Sequence, residues 1–168
     1  KVAMGLTLDE IRLANTPASF EPALDYVVTK VARFPFDKFS DASNKLGTQM
    51  KATGEVMSVV RTMEESLLKA VRSLETGVCH IYHKKFDTMS DDEMLTYIKE
   101  GTDDRLYAIA QLIRNGVDLA LIYNNTKIDM FFLEKFKNII EFEAVVRANP
   151  TDVETLRALS LIHISEPT

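Results

Sequence analysis

Cys79, His80 and His83 form the one close group of cysteine and histidine side chains, the residue types that bind zinc. A structural zinc site usually needs four such ligands, arranged as two spaced pairs. The only other histidine, His163, lies far along the chain in a segment of different character. We therefore favour an ordinary loop after Gly77 over a metal site.

Two acidic groups could supply oxygen ligands to a cation, and both lie at the start of a predicted helix. The run 91–93 (Asp-Asp-Glu) follows Ser90, and Asp103 with Asp104 precedes the next helical pattern. Because the positive end of the helix dipole favours carboxylates there, we interpret both groups as helix starts.

Neither a phosphate-binding loop nor a catalytic nucleophile can be read from the sequence. The glycines are too far apart to build such a loop: Gly47, Gly54, Gly77, Gly101 and Gly116. Serine, histidine and aspartate occur without a spacing typical of a nucleophile. The sequence therefore predicts no catalytic residue, no cofactor-binding residue and no metal ligand in this chain.

Four phenylalanines follow residue 130 at roughly helical spacing: Phe131, Phe132, Phe136 and Phe142. Such a stripe is more often part of a core than a docking surface, and we favour the core. The docking surface stays open as the alternative.

The composition is that of one soluble globular domain or two small ones. The 168 residues include 46% apolar and 27% charged side chains, and the net charge is −5. This charge argues against nucleic acid and against an anionic membrane surface as partners. No apolar run approaches the ~20 residues of a membrane helix. The lone cysteine excludes an internal disulfide and favours a cytoplasmic location.

The elements that would position these residues differ between the two halves. Residues 25–31 and 54–60 are rich in β-branched side chains and predict two strands, the first ending near Pro35. From Thr62, which forms a capping box with Glu65, the apolar period is helical. Capping residues and glycine or proline delimit the predicted helices: 62–77, 90–101, 103–116, 117–123 and 126–149. We expect a mainly α fold with a boundary near residue 76.

Both ends look unlike those of a natural protein. The chain begins with Lys1, and residues 159–168 interrupt a polar helical pattern with an unrelated apolar string. That string resembles the translation of an adapter used in DNA sequencing libraries. We expect the chain to be an internal fragment and residues 159–168 to be an artefact.

Several long motifs in the first half resemble carbamoyl-phosphate synthase large subunits. They are TPASFEP (16–22), LDYVVTK (24–30), RFPFDKF (33–39), LGTQMK (46–51), GEVM (54–57) and RTMEESLLKAVRSLE (61–75). Residues 1–10 match the stretch just before, and 104–105, 125–129 and 132–133 match the helical part more loosely. The resemblance covers residues 1–158.

The resemblance implies an ATP-dependent ligase. Large subunits of this family make carbamoyl phosphate from bicarbonate, ammonia and two ATP, for pyrimidine and arginine biosynthesis. They contain two ATP-grasp halves with a helical oligomerisation domain between them. Residues 1–75 would be the α+β end of the first, carboxyphosphate-forming half, and residues 76–158 would belong to the all-helical oligomerisation domain.

The resemblance also implies that the catalytic and ligand-binding residues of the family lie outside this chain. The family's ligands for ATP and Mg²⁺ or Mn²⁺ lie before Lys1 or beyond residue 158, so no site residue is carried over and the fragment is expected to be inactive. Its expected partners are the remainder of the large subunit, the glutaminase small subunit and further copies of the parent. Alternatives are a free-standing helical interaction module without catalysis, or a small unrelated binding protein.

Three departures from the family pattern are local. Residues 12–15 replace a longer connection that contains glycine, Ala32 replaces a usual proline and Val60 a usual glycine. If position 60 needs a positive φ, Val60 is strained. We also expect exposed apolar surface, because part of a module lacks its neighbours.

Overall fold

The computed structural model describes residues 1–21, 23–36, 41, 43–51, 54–78, 80–149 and 153. In this part the strands are β1 (Arg12–Leu13), β2 (Thr16–Pro17), β3 (Val27–Arg33) and β4 (Gly54–Val60). The α-helices are α1 (Met63–Ser73), α2 (Asp91–Tyr97), α3 (Arg105–Arg114), α4 (Leu119–Thr126) and α5 (Met130–Ala148). The fold is mixed α/β and mostly helical, with two two-stranded sheets among the described residues.

The two predicted strands form an antiparallel hairpin, β3–β4. Val27 lies opposite Val60, and Arg33 lies opposite Gly54. β4 has the predicted bounds, while β3 begins and ends two residues later than the β-branched run indicated. Val60 is a paired strand residue with extended backbone, so the strain considered for this position is absent.

Helix α1 packs between this hairpin and α5. The Thr62 hydroxyl accepts a hydrogen bond from the N–H of Glu65 at 3.3 Å, so the helix starts where predicted with one of the two bonds of the predicted capping box. The predicted end at Gly77 was wrong, because α1 ends at Ser73 and Glu75 already has the left-handed conformation (φ 54°). Gly77 (φ 77°) instead belongs to the turn that follows.

The starts of the later helices follow local capping rules. Ser90 and Glu93 complete a capping box at α2, in which the Glu93 carboxylate accepts from the Ser90 N–H at 2.8 Å. Asp129 caps α5 by accepting from the N–H of Phe131 at 2.8 Å. α5 therefore begins at residue 130, later than the predicted 126, because α4 continues to Thr126.

The hydrophobic core lies in the helical part and reaches α1. The largest of its fully buried apolar side chains are Val71, Ile81, Phe86, Met94, Ile98, Ile109, Leu112, Ile122 and Leu133. They come from all five helices and from the loop before α2, so these elements close around one apolar interior. No described helix combines the length and apolar character needed to cross a membrane.

The segment before β4 touches the helical part at a second place. The N–H of Leu46 donates to the carbonyl of Gly101 at 2.6 Å, and Lys45 Nζ lies 2.7 Å from Glu100 Oε1. Gly101 was predicted to end a helix, but α2 ends at Tyr97. The carbonyl of Gly101 instead accepts the hydrogen bond from Leu46.

Candidate functional site

The first cluster of charged side chains at the helical core is centred on Arg114, the last residue of α3. Its Nε and Nη2 donate to Oε2 of Glu143 on α5, at 3.1 and 2.9 Å. Its Nη1 donates to the carbonyl of Ile81 at 3.0 Å. The Arg114 and Glu143 side chains are only 15% and 17% exposed. Arg114 therefore ties α3, α5 and the loop before α2 together.

The side chains of this cluster bond to one another. Burial raises the pKa of Glu143, but the hydrogen bonds and charge of Arg114 outweigh burial and hold that pKa below its ordinary value. The other oxygen of Glu143 accepts from Arg147 Nη2 at 2.6 Å. His80 Nδ1 lies 3.4 Å from Arg114 Nη2. The geometry is that of a structural clamp that links α3, α5 and the loop before α2.

The second cluster joins Lys85, Tyr97 and Asp104. Lys85 Nζ lies 2.6 Å from Asp104 Oδ2 and 3.1 Å from the Tyr97 hydroxyl, and that hydroxyl donates to Asp104 Oδ1. Burial raises the pKa of Asp104, but the bonds from Lys85 and Tyr97 outweigh it and lower the pKa overall. These residues fix the loop before α2 against the start of α3.

A small cleft lies beside this second cluster, between the end of β3 and the helical part. Its volume is about 250 Å³, below the roughly 300–1,000 Å³ of small-molecule sites. Its polar lining is Arg33, Thr76, His83, Asp103, Asp104 and Tyr107. His83 already accepts a hydrogen bond from the Lys85 N–H at 3.1 Å, and Asp104 is paired as above. This cleft is open and shows no nucleophile next to a base among its described residues.

The structure describes two members of the Cys/His group, His80 and His83. Cys79 lies outside the described residues, so its interpretation as a loop residue stays a prediction. His83 caps the short 3-10 turn Lys84–Thr88, and His80 contacts Arg114. Within the described part of the chain, no three histidine, cysteine or acidic side chains are grouped as metal ligands.

The two acidic groups have different environments. Residues 91–93 start α2, as predicted. Asp104 is the N-cap residue of α3, but its side chain makes no cap hydrogen bond and pairs with Lys85 and Tyr97. Asp104 therefore lies at a helix start, as predicted, while its carboxylate bonds to Lys85 and Tyr97 and not to the helix backbone. Burial, followed by the charge of Asp104, raises the pKa of the neighbouring Asp103.

The phenylalanine stripe of α5 is not one core surface. Phe136 is buried and Phe142 half-buried, but Phe131 and Phe132 are 52% and 42% exposed, so the core interpretation was wrong for these two. Successive helix residues are ~100° apart, which directs Phe131 about 140° away from Phe136. The exposed rings contact each other edge to face, with centroids 5.3 Å apart.

A second exposed apolar surface lies on the outer face of the hairpin, the face turned away from α1. We define it by Val28, Lys30, Ala32, Glu55, Met57 and Val59. Val28 and Val59 lie directly opposite each other and are each 48% exposed, and Met57 is 67% exposed. The exposed apolar surface that we expected is therefore present.

Sequence reasoning missed the two charged clusters. Arg114 and Glu143 are 29 residues apart, and Lys85 and Asp104 are 19 apart. Pairs at such separations leave no local pattern. The one available signal was Arg114 itself, a charged residue directly after the apolar Leu112 and Ile113.

Comparison with known families identifies the helical part. The family model described as carbamoyl-phosphate synthetase large chain, oligomerisation domain, matches residues 55–165. The matched span begins inside β4, contains α1 to α5 and leaves β3 outside. It extends into the segment 159–168, which lies outside the described residues.

Proposed function

Since this chain belongs to the family of carbamoyl-phosphate synthetase large chains, matched over their oligomerisation domain, we propose that it is a structural, assembly-forming part of such an enzyme. The family is one of ligases. In this proposal the chain itself contains no catalytic residue and needs the rest of the parent enzyme for activity.

The chemistry of the proposed parent comes from the resemblance of its motifs. The parent makes carbamoyl phosphate from bicarbonate, two ATP and ammonia that a glutaminase small subunit releases, and it serves pyrimidine and arginine biosynthesis in the cytoplasm. Residues 1–75 are proposed to end its first ATP-grasp domain, and residues 76–158 to belong to its oligomerisation domain. ATP and Mg²⁺ or Mn²⁺ are proposed to bind elsewhere in the parent.

The main support for this proposal is the match of residues 55–165 to the oligomerisation domain of the family. The two charged clusters support it, because their described members already bond to one another. Arg114 and Glu143 hold helices together, and Lys85 and Asp104 hold a loop to a helix. Buried polar groups that are paired in this way make a scaffold rigid.

Calorimetric titration of the purified chain with ATP and Mg²⁺ tests the absence of a nucleotide site. We expect no saturable heat, with circular dichroism of the same sample confirming a folded helical protein. Micromolar binding would contradict the proposal. In that event Asp104→Asn would show whether the cleft beside α3 is responsible, with the exposed Glu141→Gln as the matched control.

The DNA on either side of the coding segment tests the proposed parent. We expect an open reading frame that continues into ATP-grasp sequence in both directions. A start codon directly before Lys1 together with a stop codon directly after Thr168 would contradict a larger parent chain.

A further inference from the structure

The cleft between the end of β3 and the helical part combines a carboxylate with aromatic and aliphatic walls. Three aromatic and three aliphatic residues contribute to its lining: Phe34, His83, Tyr107, Ala32, Leu74 and Val78. The ring centroids of His83 and Tyr107 lie 5.7 Å apart. A volume of about 250 Å³ admits the end of a narrow alkyl chain but not a drug-sized molecule.

Asp103 is the carboxylate of this cleft whose charge is not balanced. Its neighbour Asp104 is already bonded to Lys85 Nζ at 2.6 Å and to the Tyr97 hydroxyl. Asp103 itself has no ion-pair partner among the described residues. Burial and then the charge of Asp104 raise its pKa, although Arg33 also lines the cleft and the charge of Lys85 counteracts part of the effect. A further cation beside Asp103 would therefore be stabilised.

The rings of the cleft also favour a cation. The face of a neutral aromatic ring attracts a positive charge within about 6 Å of its centroid. Nδ1 of His83 accepts a hydrogen bond from the Lys85 N–H at 3.1 Å, so this nitrogen carries no proton and the ring is neutral. The chain holds its own Lys85 in the same way, with the ammonium 4.8 Å from the Tyr97 ring centroid and bonded to Asp104.

We propose that this cleft binds the ammonium group of an alkylamine, with the nitrogen at Asp103 and the alkyl stem along Leu74 and Val78. A divalent cation is the poorer fit, because it needs several oxygen ligands and the described residues contain no group of three candidate ligands. The ammonium comes either from a small free amine or from a lysine of a segment that covers the cleft in the proposed parent. The proposal goes beyond the assembly role and does not depend on it.

An NMR titration of the complete 168-residue chain with n-butylammonium chloride tests the proposal, with sodium chloride as the reference for ionic strength. We expect saturable shifts of the amides of Thr76, Asp103 and Tyr107, with a millimolar dissociation constant. The uncharged 1-butanol should bind at least about tenfold more weakly, since it cannot pair with a carboxylate.

A charge-neutral variant adds a second test. Asp103→Asn keeps the shape of the side chain but removes its charge, and is expected to raise the dissociation constant of n-butylammonium at least about tenfold. Asp92→Asn is the matched control, because Asp92 is an exposed acid in the first turn of α2, and it should leave binding unchanged. Circular dichroism checks that both variants are folded.

The titration of the Asp103 carboxyl carbon gives a third measurement. Its pKa is raised in the free chain and should fall at saturating n-butylammonium, because the charge of the ligand stabilises the carboxylate. An unchanged pKa would place the ligand away from Asp103 and overturn the proposal.

Nα-acetyl-lysine N-methylamide separates the two sources of the ammonium group. Binding as tight as that of n-butylammonium indicates a lysine of a covering segment, whereas binding of n-butylammonium alone indicates a small free amine. The absence of saturable shifts with either probe, equal binding of 1-butanol, or an Asp103→Asn variant that binds like the wild type would overturn the proposal. The ATP titration is unaffected by these results, so failure of the two proposals can be told apart.

Discussion

The helical part and the hairpin bury their apolar residues in different ways. Between Ile81 and Ile139, large apolar side chains of the described helices meet in one interior with almost no exposure. Helix α1 covers only the inner face of the hairpin, and the valine and methionine side chains of the outer face remain exposed. A two-stranded sheet is marginal without further layers. The comparison indicates that the helical part provides stability and that the hairpin provides a surface to be covered.

The largest effect should come from a cavity in the helical core. Leu112→Ala removes a fully buried side chain of α3 and is expected to lower the free energy of unfolding by about 2–5 kcal/mol. Chemical denaturation followed by circular dichroism measures it. Leu121→Ala, at an exposed position of α4, should cost under about 1 kcal/mol. Equal losses for the two variants would contradict the view that the core closes within the helices.

The Arg114 clamp should give the next largest effect. Glu143→Gln removes the charged acceptor and is expected to cost about 1–3 kcal/mol at neutral pH. The control Glu141→Gln alters an exposed pair with Lys137, whose atoms lie 3.5 Å apart, and should cost at most about 0.5 kcal/mol. A Glu143 variant as stable as its control would show that the clamp is not a stabilising contact.

We also expect the stability difference between wild type and Glu143→Gln to depend on pH. The pKa of Glu143 is lowered in the folded chain, so its contribution is complete above the unfolded value of ~4.3 and is lost as pH falls through the lower folded value. The stability difference between wild type and Glu143→Gln should therefore shrink below about pH 4. Denaturation at a series of pH values measures this, and a constant difference down to strongly acidic pH would contradict the role of the Arg114 charge.

The smallest effect should be confined to the hairpin. Ser58→Ala removes the buried hydrogen bond to Ser66 and is expected to cost about 1–2 kcal/mol. Hydrogen exchange should become faster at β3 and β4 amides and remain unchanged in α3, because the hairpin opens locally. The double variant with Ser66→Ala should cost less than the sum of the single changes. Faster exchange throughout the chain would mean that the two regions unfold together.

Local signals explain most of what the sequence predicted correctly. The β-branched runs identified β3 and β4, and Ser90 with Glu93 identified the start of α2, because strand propensity and capping act over a few residues. The end of α1 was missed because Glu75, a residue without glycine's freedom, has the left-handed backbone. The resemblance supplied the family, which the match over residues 55–165 confirms for the helical part.

Local sequence signals could not predict contacts between distant parts of the chain. The clamp between Arg114 and Glu143 depends on how α3 and α5 cross, which no local pattern specifies. The β-branched composition predicted the two strands but not which face of the hairpin α1 covers, since valines occur on both faces. Phe131 and Phe132 carry the same apolar signal as Phe136, so residue type alone could not predict that these two are exposed and Phe136 is buried.

The backbone bond between Leu46 and Gly101 has a mechanical consequence. Among the described residues, the hairpin packs along α1, and the segment that contains Leu46 is bonded separately to the backbone after α2. A displacement of this segment would therefore be transmitted to the connection between α2 and α3 without passing through α1.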